Sequence, residues 1–449
     1  MMQRREFIKR SLAGLTGAGS LLATSSQFNL VNAATNTNSF TDYKALVCVF
    51  LLGGNDSLNM LIPTDNPGYQ AYAATRQNLA VPLEQIINLQ SAAYGSAFGL
   101  HPSLAPMADL FNSGAASFVA NVGTLIEPVD KTRILNGRAL LPPQLFSHSD
   151  QQNHWQSGIP QDPALTGWAG RMADLLGDSQ AALSMNLSLA GSNLWQTGNQ
   201  VLPFALGPQG ADAIVGLNPE HDWLNQNAGF LDRIHTGADT LFAREYRQIV
   251  DRTRRTGELV NTSLMLAPEL QTLFPATSLA QQLQTVAKMI AVQQHLNQPR
   301  QVFFVAMGGW DTHDNQLIDQ PLLLAELAGG LQAFYQATEE LGLAQQVTTF
   351  TASDFGRTLT SNGDGTDHGW GGHQIVVGGA VNGGDIVGTM PALTLDSNDD
   401  MGDGRIIPTL AVDQYAATLA RWYGLSESQL HEILPNLQNF ASADLGFMA

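Results

Sequence analysis

Cysteine and basic residues are both scarce in this chain. A single cysteine, Cys48, among 449 residues can form no intrachain disulfide and cannot support a cysteine-based cluster. Lysine and arginine total 21 against 39 aspartate and glutamate residues, which gives a net charge of -18. Because nucleic-acid binding needs clustered basic side chains that neutralise phosphates, no nucleic-acid partner is expected. The acidic balance likewise disfavours anionic membrane surfaces.

Two other absences narrow the possible functions. No apolar run is long enough to cross a bilayer, so the sequence predicts no stable membrane span. No Gly-x-Gly-x-x-Gly fingerprint joins a predicted strand to a helix, which argues against a dinucleotide-dependent redox enzyme. The hydrophobic fraction of 44% and the charged fraction of 13% are typical of a globular protein with a large core.

The N-terminus resembles a twin-arginine export signal. Arg4 and Arg5 are paired, Lys9 follows them, and a short glycine-rich apolar run comes next. Small residues before Ala33 predict cleavage there, so we expect residues 1–33 to be a signal peptide; an uncleaved amphipathic helix is the alternative. The expected location is therefore periplasmic or secreted, with the twin-arginine translocase as a partner during export.

Three β-prone runs end in small residues that are followed by an acidic side chain. They are Leu46–Leu52 with Asp56, Gln301–Met307 with Asp311, and Gln346–Phe350 with Asp354. Parallel strands place their C-terminal ends along one sheet edge, where α/β proteins bind ligands, so we expect the three carboxylates to lie along that edge. The segment Pro321–Leu341 is predicted as the crossover helix between the last two strands. For Asp56, a helix N-cap is the alternative role.

Potential ligands of a cation are concentrated near these strand ends. Asp311 and His313 are two residues apart, so both can reach one metal ion. Further along, a glycine-rich stretch of about twenty residues contains candidate metal-binding and anion-binding side chains. These are Asp354, Arg357, Asp367, His368 and His373. A solvated polar loop that happens to hold two histidines is the alternative.

Two other regions have less specific patterns. Ser147 lies beside His148 at a predicted helix start, which by itself is weak evidence for a nucleophile. The range 219–273 has a helical pattern and is predicted to be a cap-like insert over the sheet.

Several motifs together resemble a known family. They are Phe50–Ser57, Gly308–His313, Ser353–Thr358 and Gly365–His373. The chain resembles the twin-arginine-exported bacterial proteins catalogued as domain of unknown function 1501, which are similar in fold to alkaline phosphatases and sulfatases. The resemblance implies an α/β three-layer sandwich with a mostly parallel central sheet, forming one domain over residues 34–449. It also implies hydrolysis of phosphate or sulfate esters at one or two metal ions.

The resemblance assigns roles to individual residues. Asp56 matches the first-strand metal aspartate, Asp354 matches the aspartate of a Ser-Asp-His-Gly motif, and His368 or His373 resembles the last histidine ligand. Phe355 replaces a histidine ligand of that motif, and the Asp-Thr-His spacing is tighter than in the superfamily. A second metal would therefore be held differently, with Asp367 as a candidate, or the site holds one metal or none.

The leading hypothesis is a periplasmic metal-dependent hydrolase of a small-molecule or polysaccharide sulfate or phosphate ester. Its divalent metal, namely zinc, manganese or calcium, would be held by Asp56, Asp311, His313, Asp354, His368 and His373. Ser147 or a water would be the nucleophile, and Arg357 would neutralise the non-bridging oxygens of the ester. The alternative is a catalytically inactive exported binding or envelope-assembly protein on the same fold.

Overall fold

The first strand of the chain, β1 (Lys44–Leu51), is apolar on both faces. Its residues alternate between two hydrophobic cores: Val47 and Val49 lie in one, and Cys48 and Phe50 lie in the other. Successive side chains of a strand point to opposite faces, so a continuous apolar run must be covered on both sides. The strand therefore lies in the middle layer of the protein.

The computed structural model describes residues 40–178, 181–212 and 240–449. The strands after β1 are β2 (Leu61–Pro63), β3 (Ile87–Asn88), β4 (Phe98–Leu100), β5 (Ala116–Gly123), β6 (Asn186–Ser188), β7 (Phe204–Ala205), β8 (Arg300–Met307), β9 (Val347–Ser353), β10 (Arg357–Ser361), β11 (Thr366–His368), β12 (Gly372–Gly378), β13 (Ile386–Val387) and β14 (Leu410–Ala411). Nine of them form the central sheet, in the order β13-β5-β12-β9-β1-β8-β6-β7, with β14 also paired to β5. Within the nine described strands of the central sheet, only the pairings of β12 with β5 and β9 are antiparallel, and the other pairings are parallel.

Helices cover both faces of this sheet. In chain order the α-helices of the described residues are α1 (Asn66–Arg76), α2 (Ala105–Asn112), α3 (Lys131–Leu135), α4 (His148–Ser157), α5 (Trp168–Leu175), α6 (Leu241–Leu264), α7 (Ser278–Ala291), α8 (Gln316–Glu340), α9 (Val412–Tyr423) and α10 (Glu427–Ile433). Apolar residues of α2, α7 and α8 form one core with the sheet, and those of α4, α5, α9 and α10 form the other. The predicted three-layer α/β sandwich with a mostly parallel sheet is confirmed.

The register of the central strands determines where the polar loops meet. Strand β1 lies between β8 and β9 and is parallel to both, and Leu51 is aligned with Met307 on one side and with Ser353 on the other. The three strands therefore end at the same level. The acidic loops that follow them emerge along one edge of the sheet, as the sequence predicted.

Two helix boundaries differ from the prediction. Helix α8 begins at Gln316, before the predicted start at Pro321, because the side chains of Gln316 and Gln320 bind Asp56 and fix this first turn to the loop after β1. In the predicted insert 219–273, helix α6 ends at Leu264, so the helical pattern stops earlier than expected. Residues 219–239 of that insert, and the predicted signal peptide 1–33, lie outside the described residues.

None of the helices in the described part of the chain is both long and apolar enough to cross a membrane.

Candidate metal centre

Three histidines and one aspartate converge above the ends of β1, β8 and β9. Ligand atoms of His148, Asp311 and His368 all lie within 4.8 Å of one another. The Nε2 atom of His313 is 2.8 Å from Nε2 of His368 and 3.2 Å from an Asp311 carboxylate oxygen. We call these four residues the His-Asp cluster. They come from the first turn of α4, the loop after β8 and the end of β11.

The Nδ1 atom of each imidazole in the cluster lies within hydrogen-bond distance of an oxygen of the protein. The Nδ1 atom of His368 donates to the carbonyl oxygen of Phe146 at 2.7 Å, and Nδ1 of His148 donates to the Asp354 carboxylate at 2.7 Å. The Nδ1 atom of His313 lies 3.2 Å from an oxygen of Asp367. Since these oxygens can only accept, each neutral ring carries its proton on Nδ1 and keeps a lone pair on Nε2.

The short Nε2 to Nε2 contact between His313 and His368 tests whether the cluster fits a cation. Two lone pairs that face each other at 2.8 Å repel unless one nitrogen carries a proton or both bind the same cation. With metal–nitrogen bonds of about 2.0–2.1 Å, such a cation would lie to one side of the two nitrogens and not between them. Hydrogen bonds from Nδ1 to carbonyl or carboxylate oxygens are the usual support of metal-binding histidines. The donor set of the cluster therefore fits a metal ion, with Asp354, Asp367 and the Phe146 carbonyl as outer partners.

The electrostatic environment favours the protonation states that a metal requires. Burial disfavours the charge of Asp311, but the hydrogen bond and the charge of Arg357 outweigh this effect, and the pKa of Asp311 is lowered. Burial also lowers the pKa of His368, and nearby positive charges add to this against the opposing Phe146 hydrogen bond. At neutral pH we therefore expect an ionised aspartate and a neutral His368. The cluster remains accessible, with side-chain exposures between 22% and 47%.

The ring of Phe355 forms an apolar wall behind the cluster. Its centroid is 4.9 Å from that of His148 and 4.5 Å from that of His368, and the side chain is buried. A side chain at Gly54 would collide with this ring, since a Cβ atom there would lie 2.5 Å from it. Phe355 thus packs against two imidazoles of the cluster and restricts their movement.

A family model described as "Protein of unknown function (DUF1501)" matches residues 43–434. The chain belongs to this family. The family predicted from the sequence motifs is therefore confirmed. No curated protein matches the DUF1501 chain in sequence.

Several solved structures are similar to this DUF1501 chain. Ps i-CgsB is 9% identical over 89% of this chain and 77% of its own, with a TM-score of 0.35. The PsFucS1 sulfatase from Pseudoalteromonas sp. is 9% identical over 94% of this chain and 74% of its own, with a TM-score of 0.30. A variant of the alkaline phosphatase PafA is 11% identical over 72% of this chain and 64% of its own, with a TM-score of 0.25. These similarities are too distant to assign any chemistry to the side chains of the DUF1501 chain.

Among the six predicted metal ligands, the structure brings Asp311, His313 and His368 together. Asp354 lies one hydrogen bond further out: it binds His148 and, at 2.9 Å, Gln152. Its other carboxylate oxygen is buried and has no hydrogen-bond partner among the residues that the structure describes.

The structure does not bring Asp56 or His373 into the cluster. The buried carboxylate of Asp56 forms an ion pair with Arg76, whose guanidinium is also buried, and accepts a further hydrogen bond from Gln316. The Nδ1 atom of His373 accepts the backbone N–H of Asn121 at 3.0 Å, and burial lowers the pKa of His373 to about 4. The Arg76 guanidinium therefore neutralises the charge of Asp56. The backbone N–H of Asn121 occupies the Nδ1 atom of His373.

Arg357 is not placed as the sequence predicted. Its fully buried guanidinium donates to the carbonyl oxygens of Gly53, Gly54, Trp310 and Thr366 and to the carboxylate of Asp311. With its nitrogens bound to these internal acceptors, it cannot reach the oxygens of a substrate without breaking the loops after β1 and β8. Its role in this DUF1501 chain is to hold those loops together and to orient Asp311.

The predicted nucleophile lies next to the cluster in the chain. Ser147 immediately precedes α4, between Phe146, which binds His368, and His148. Its hydroxyl donates to the carboxylate of Asp150 at 2.5 Å. The sequence drew attention to Ser147 but did not identify His148 as a ligand. The signal that was present is a histidine at the first position of a helix, where its ring can project from the helix end.

Proposed function

We propose that this protein is a periplasmic metal-dependent hydrolase of sulfate or phosphate esters. The observation that supports this proposal best is the convergence of three imidazole Nε2 atoms and one carboxylate in a partly exposed cluster. The periplasmic location rests on the paired arginines at the N-terminus alone.

The donor set favours some metals over others. Three nitrogen ligands and one oxygen ligand are typical of zinc and of related transition metals. Calcium takes six to eight oxygen ligands, which these four side chains do not supply. Of the three metals expected from the sequence, we therefore propose zinc first, manganese second, and no role for calcium. Such an ion, when bound, polarises an ester oxygen and lowers the pKa of a bound water to about 7.

The remaining chemistry falls to side chains around the cluster. Asp354, Asp367 and the Phe146 carbonyl keep the imidazoles oriented, which preserves the ligand geometry through the reaction. Ser147 is the candidate nucleophile, because Asp150 accepts a hydrogen bond from its hydroxyl and could take the proton as the oxygen attacks the phosphorus or sulfur of the ester. The bond to the ester oxygen would break in the same step, and the leaving alcohol would take a proton from water. A water bound at the cluster is the other candidate.

The test is elemental analysis of the exported protein together with a panel of sulfate and phosphate esters. We expect about one zinc-type ion per chain, its loss in His148→Ala, and its retention in His431→Ala, an exposed histidine on α10. The absence of stoichiometric metal in the wild type would refute the proposal, and the cluster would then be an ion-pair network between protonated histidines and Asp311. Metal that is bound without hydrolysis of any ester would favour the inactive binding or envelope-assembly protein.

A further inference from the structure

Arg405 lies against two residues that shape the His-Asp cluster. Its guanidinium carbon is 4.6 Å from the centre of the Phe146 ring, and its Nε atom donates to the carbonyl oxygen of His368 at 3.3 Å. Phe146 and His368 are themselves joined by the hydrogen bond from the imidazole to the Phe146 carbonyl. Arg405 therefore contacts the backbone of His368 and the ring of Phe146, whose carbonyl oxygen accepts the hydrogen bond from His368.

The backbone on both sides of Arg405 is fixed to the loops around the site. The N–H of Leu359 donates to the carbonyl of Gly404 at 2.8 Å, and the N–H of Gly371 donates to the carbonyl of Ile406 at 2.9 Å. Gly404 has a φ of +74°, and a Cβ atom there would lie 3.0 Å from the backbone nitrogen of Leu359. The close approach and the positive φ both require glycine, so the position of Arg405 is set by the fold.

Unlike Arg357, Arg405 has guanidinium N–H groups that could donate hydrogen bonds to a ligand. Its Nη1 atom binds the exposed Asp403 at 2.6 Å, while Nη2 has no acceptor within the described parts of the chain. The side chain is 27% exposed. Stacking on an aromatic ring restricts the guanidinium to one orientation, so less conformational freedom is lost when it binds an anion. A planar guanidinium with free N–H groups matches the oxygens of a sulfate or phosphate group.

We infer that Arg405 binds the non-bridging oxygens of the anionic ester, the role that the sequence predicted for Arg357. This inference rests on the proposed function for its substrate class. The anion would take the free Nη2 group and compete with Asp403 for Nη1, while the Phe146 ring and the His368 carbonyl keep the guanidinium in place. The substrate would then be held between the His-Asp cluster and Arg405.

The test measures anion binding directly, so that it does not depend on turnover. Inorganic phosphate and sulfate are titrated calorimetrically into the metal-loaded full-length protein and its variants. We expect Arg405→Gln to weaken binding of the anion about 10- to 100-fold, in line with the loss of charge-assisted hydrogen bonds. Arg405→Lys should recover part of the affinity. Arg254→Gln, which removes an exposed charge paired with Glu258 on α6, is the matched control and should bind as the wild type does.

Metal content separates the possible outcomes. Weaker anion binding in Arg405→Gln at an unchanged metal stoichiometry supports the inference, even if no ester is hydrolysed and the proposed function fails. Equal affinity in the wild type and in Arg405→Gln overturns the inference, even if esters are hydrolysed. A wild type that binds neither anion also overturns it. If an ester of the test panel is a substrate, Arg405→Gln should raise KM for that ester.

Discussion

Asp354→Asn is the substitution that best tests the outer support of the His-Asp cluster. The buried carboxylate accepts hydrogen bonds from Nδ1 of His148 and from Nε2 of Gln152 through one oxygen, and the other oxygen has no partner. An asparagine has the same shape and can place its amide oxygen towards both donors. Its NH₂ group then occupies the position without a partner, and the charge behind the imidazole is lost.

The expected effect is a weaker metal site in a folded protein. Losing an outer partner of a metal-binding histidine typically reduces metal affinity about 10- to 100-fold, or about 1.4–2.8 kcal/mol, since each tenfold change is about 1.4 kcal/mol. A buried NH₂ group without an acceptor should also lower the free energy of unfolding by about 1–3 kcal/mol. Metal affinity is measured by competition with a chromophoric chelator, and stability by urea unfolding of the metal-free protein.

Asp178→Asn separates the two effects. Asp178 is also buried, and it accepts hydrogen bonds from the hydroxyl of Ser184 and the backbone of Met185, away from the cluster. We expect this variant to change stability while its metal affinity stays at the wild-type level. If Asp354→Asn binds metal within about twofold of the wild type, well below the effect of about 10- to 100-fold expected for a lost outer partner, then His148 is not a ligand oriented by Asp354, and the assignment of the cluster fails.

Three further predictions concern the surroundings of the cluster. Arg76→Met should lower the free energy of unfolding by about 3–5 kcal/mol, because it leaves a buried carboxylate without its cation; urea unfolding measures this. His373 has a folded pKa of about 4, below its usual 6.5, so protons bind the unfolded chain first and stability falls as the pH drops from about 6.5 to about 4. His373→Asn, which can keep the acceptor, should reduce that slope by up to about 1.4 kcal/mol per pH unit. Gly53→Ala should abolish metal binding, since its Cβ atom would lie 2.4 Å from the backbone nitrogen of Asp311. Gly363→Ala is the matched control, because Gly363 has a φ of +118°, close to the +121° of Gly53, but a Cβ atom there would meet no atom of the described residues within 4 Å. It should only lower the free energy of unfolding by about 1–3 kcal/mol.

Each of these three has a result that would contradict it. An Arg76→Met protein as stable as the wild type would mean that the buried pair contributes nothing net to folding. An unchanged pH slope in His373→Asn would show that this ring is already protonated in the folded protein near pH 6. Metal binding by Gly53→Ala equal to that of Gly363→Ala would show that the loop after β1 does not position Asp311.

The sequence was sufficient to predict the sheet and the edge at which the polar residues gather. Strands such as β1 and β8 are continuous apolar runs that end in two glycines, and this pattern depends only on burial and on local backbone geometry. Parallel pairing then places Asp311 and Asp354 at the same edge, whatever the details of packing. The position of Asp311 and His313 beside the loop after β9 follows from this pairing, whereas His368 was predicted from the glycine-rich stretch and from the family resemblance.

Side-chain partners across the edge could not be predicted in the same way. Whether Asp56 faces a metal or an arginine depends on where helix α1 places Arg76, and nothing in the local sequence of either residue specifies that contact. Arg357 is the converse case: this arginine beside a glycine-rich loop donates to carbonyl groups of the neighbouring loops and to the carboxylate of Asp311. His148 joins the cluster only because α4 begins above the sheet edge.

The position of β1 in the sheet also has a consequence for how the chain folds. Its two neighbours are β8 and β9, so the strand that is synthesised first has no partner until Met307 and then Ser353 have been added. Pairing across such sequence separations is slow, and an unpaired apolar strand is prone to aggregate in the meantime. Three of the four cluster residues follow β8, and the last is His368. The cluster is therefore completed only after both neighbours of β1 are available, and a chain that ends before His368 would lack the complete cluster.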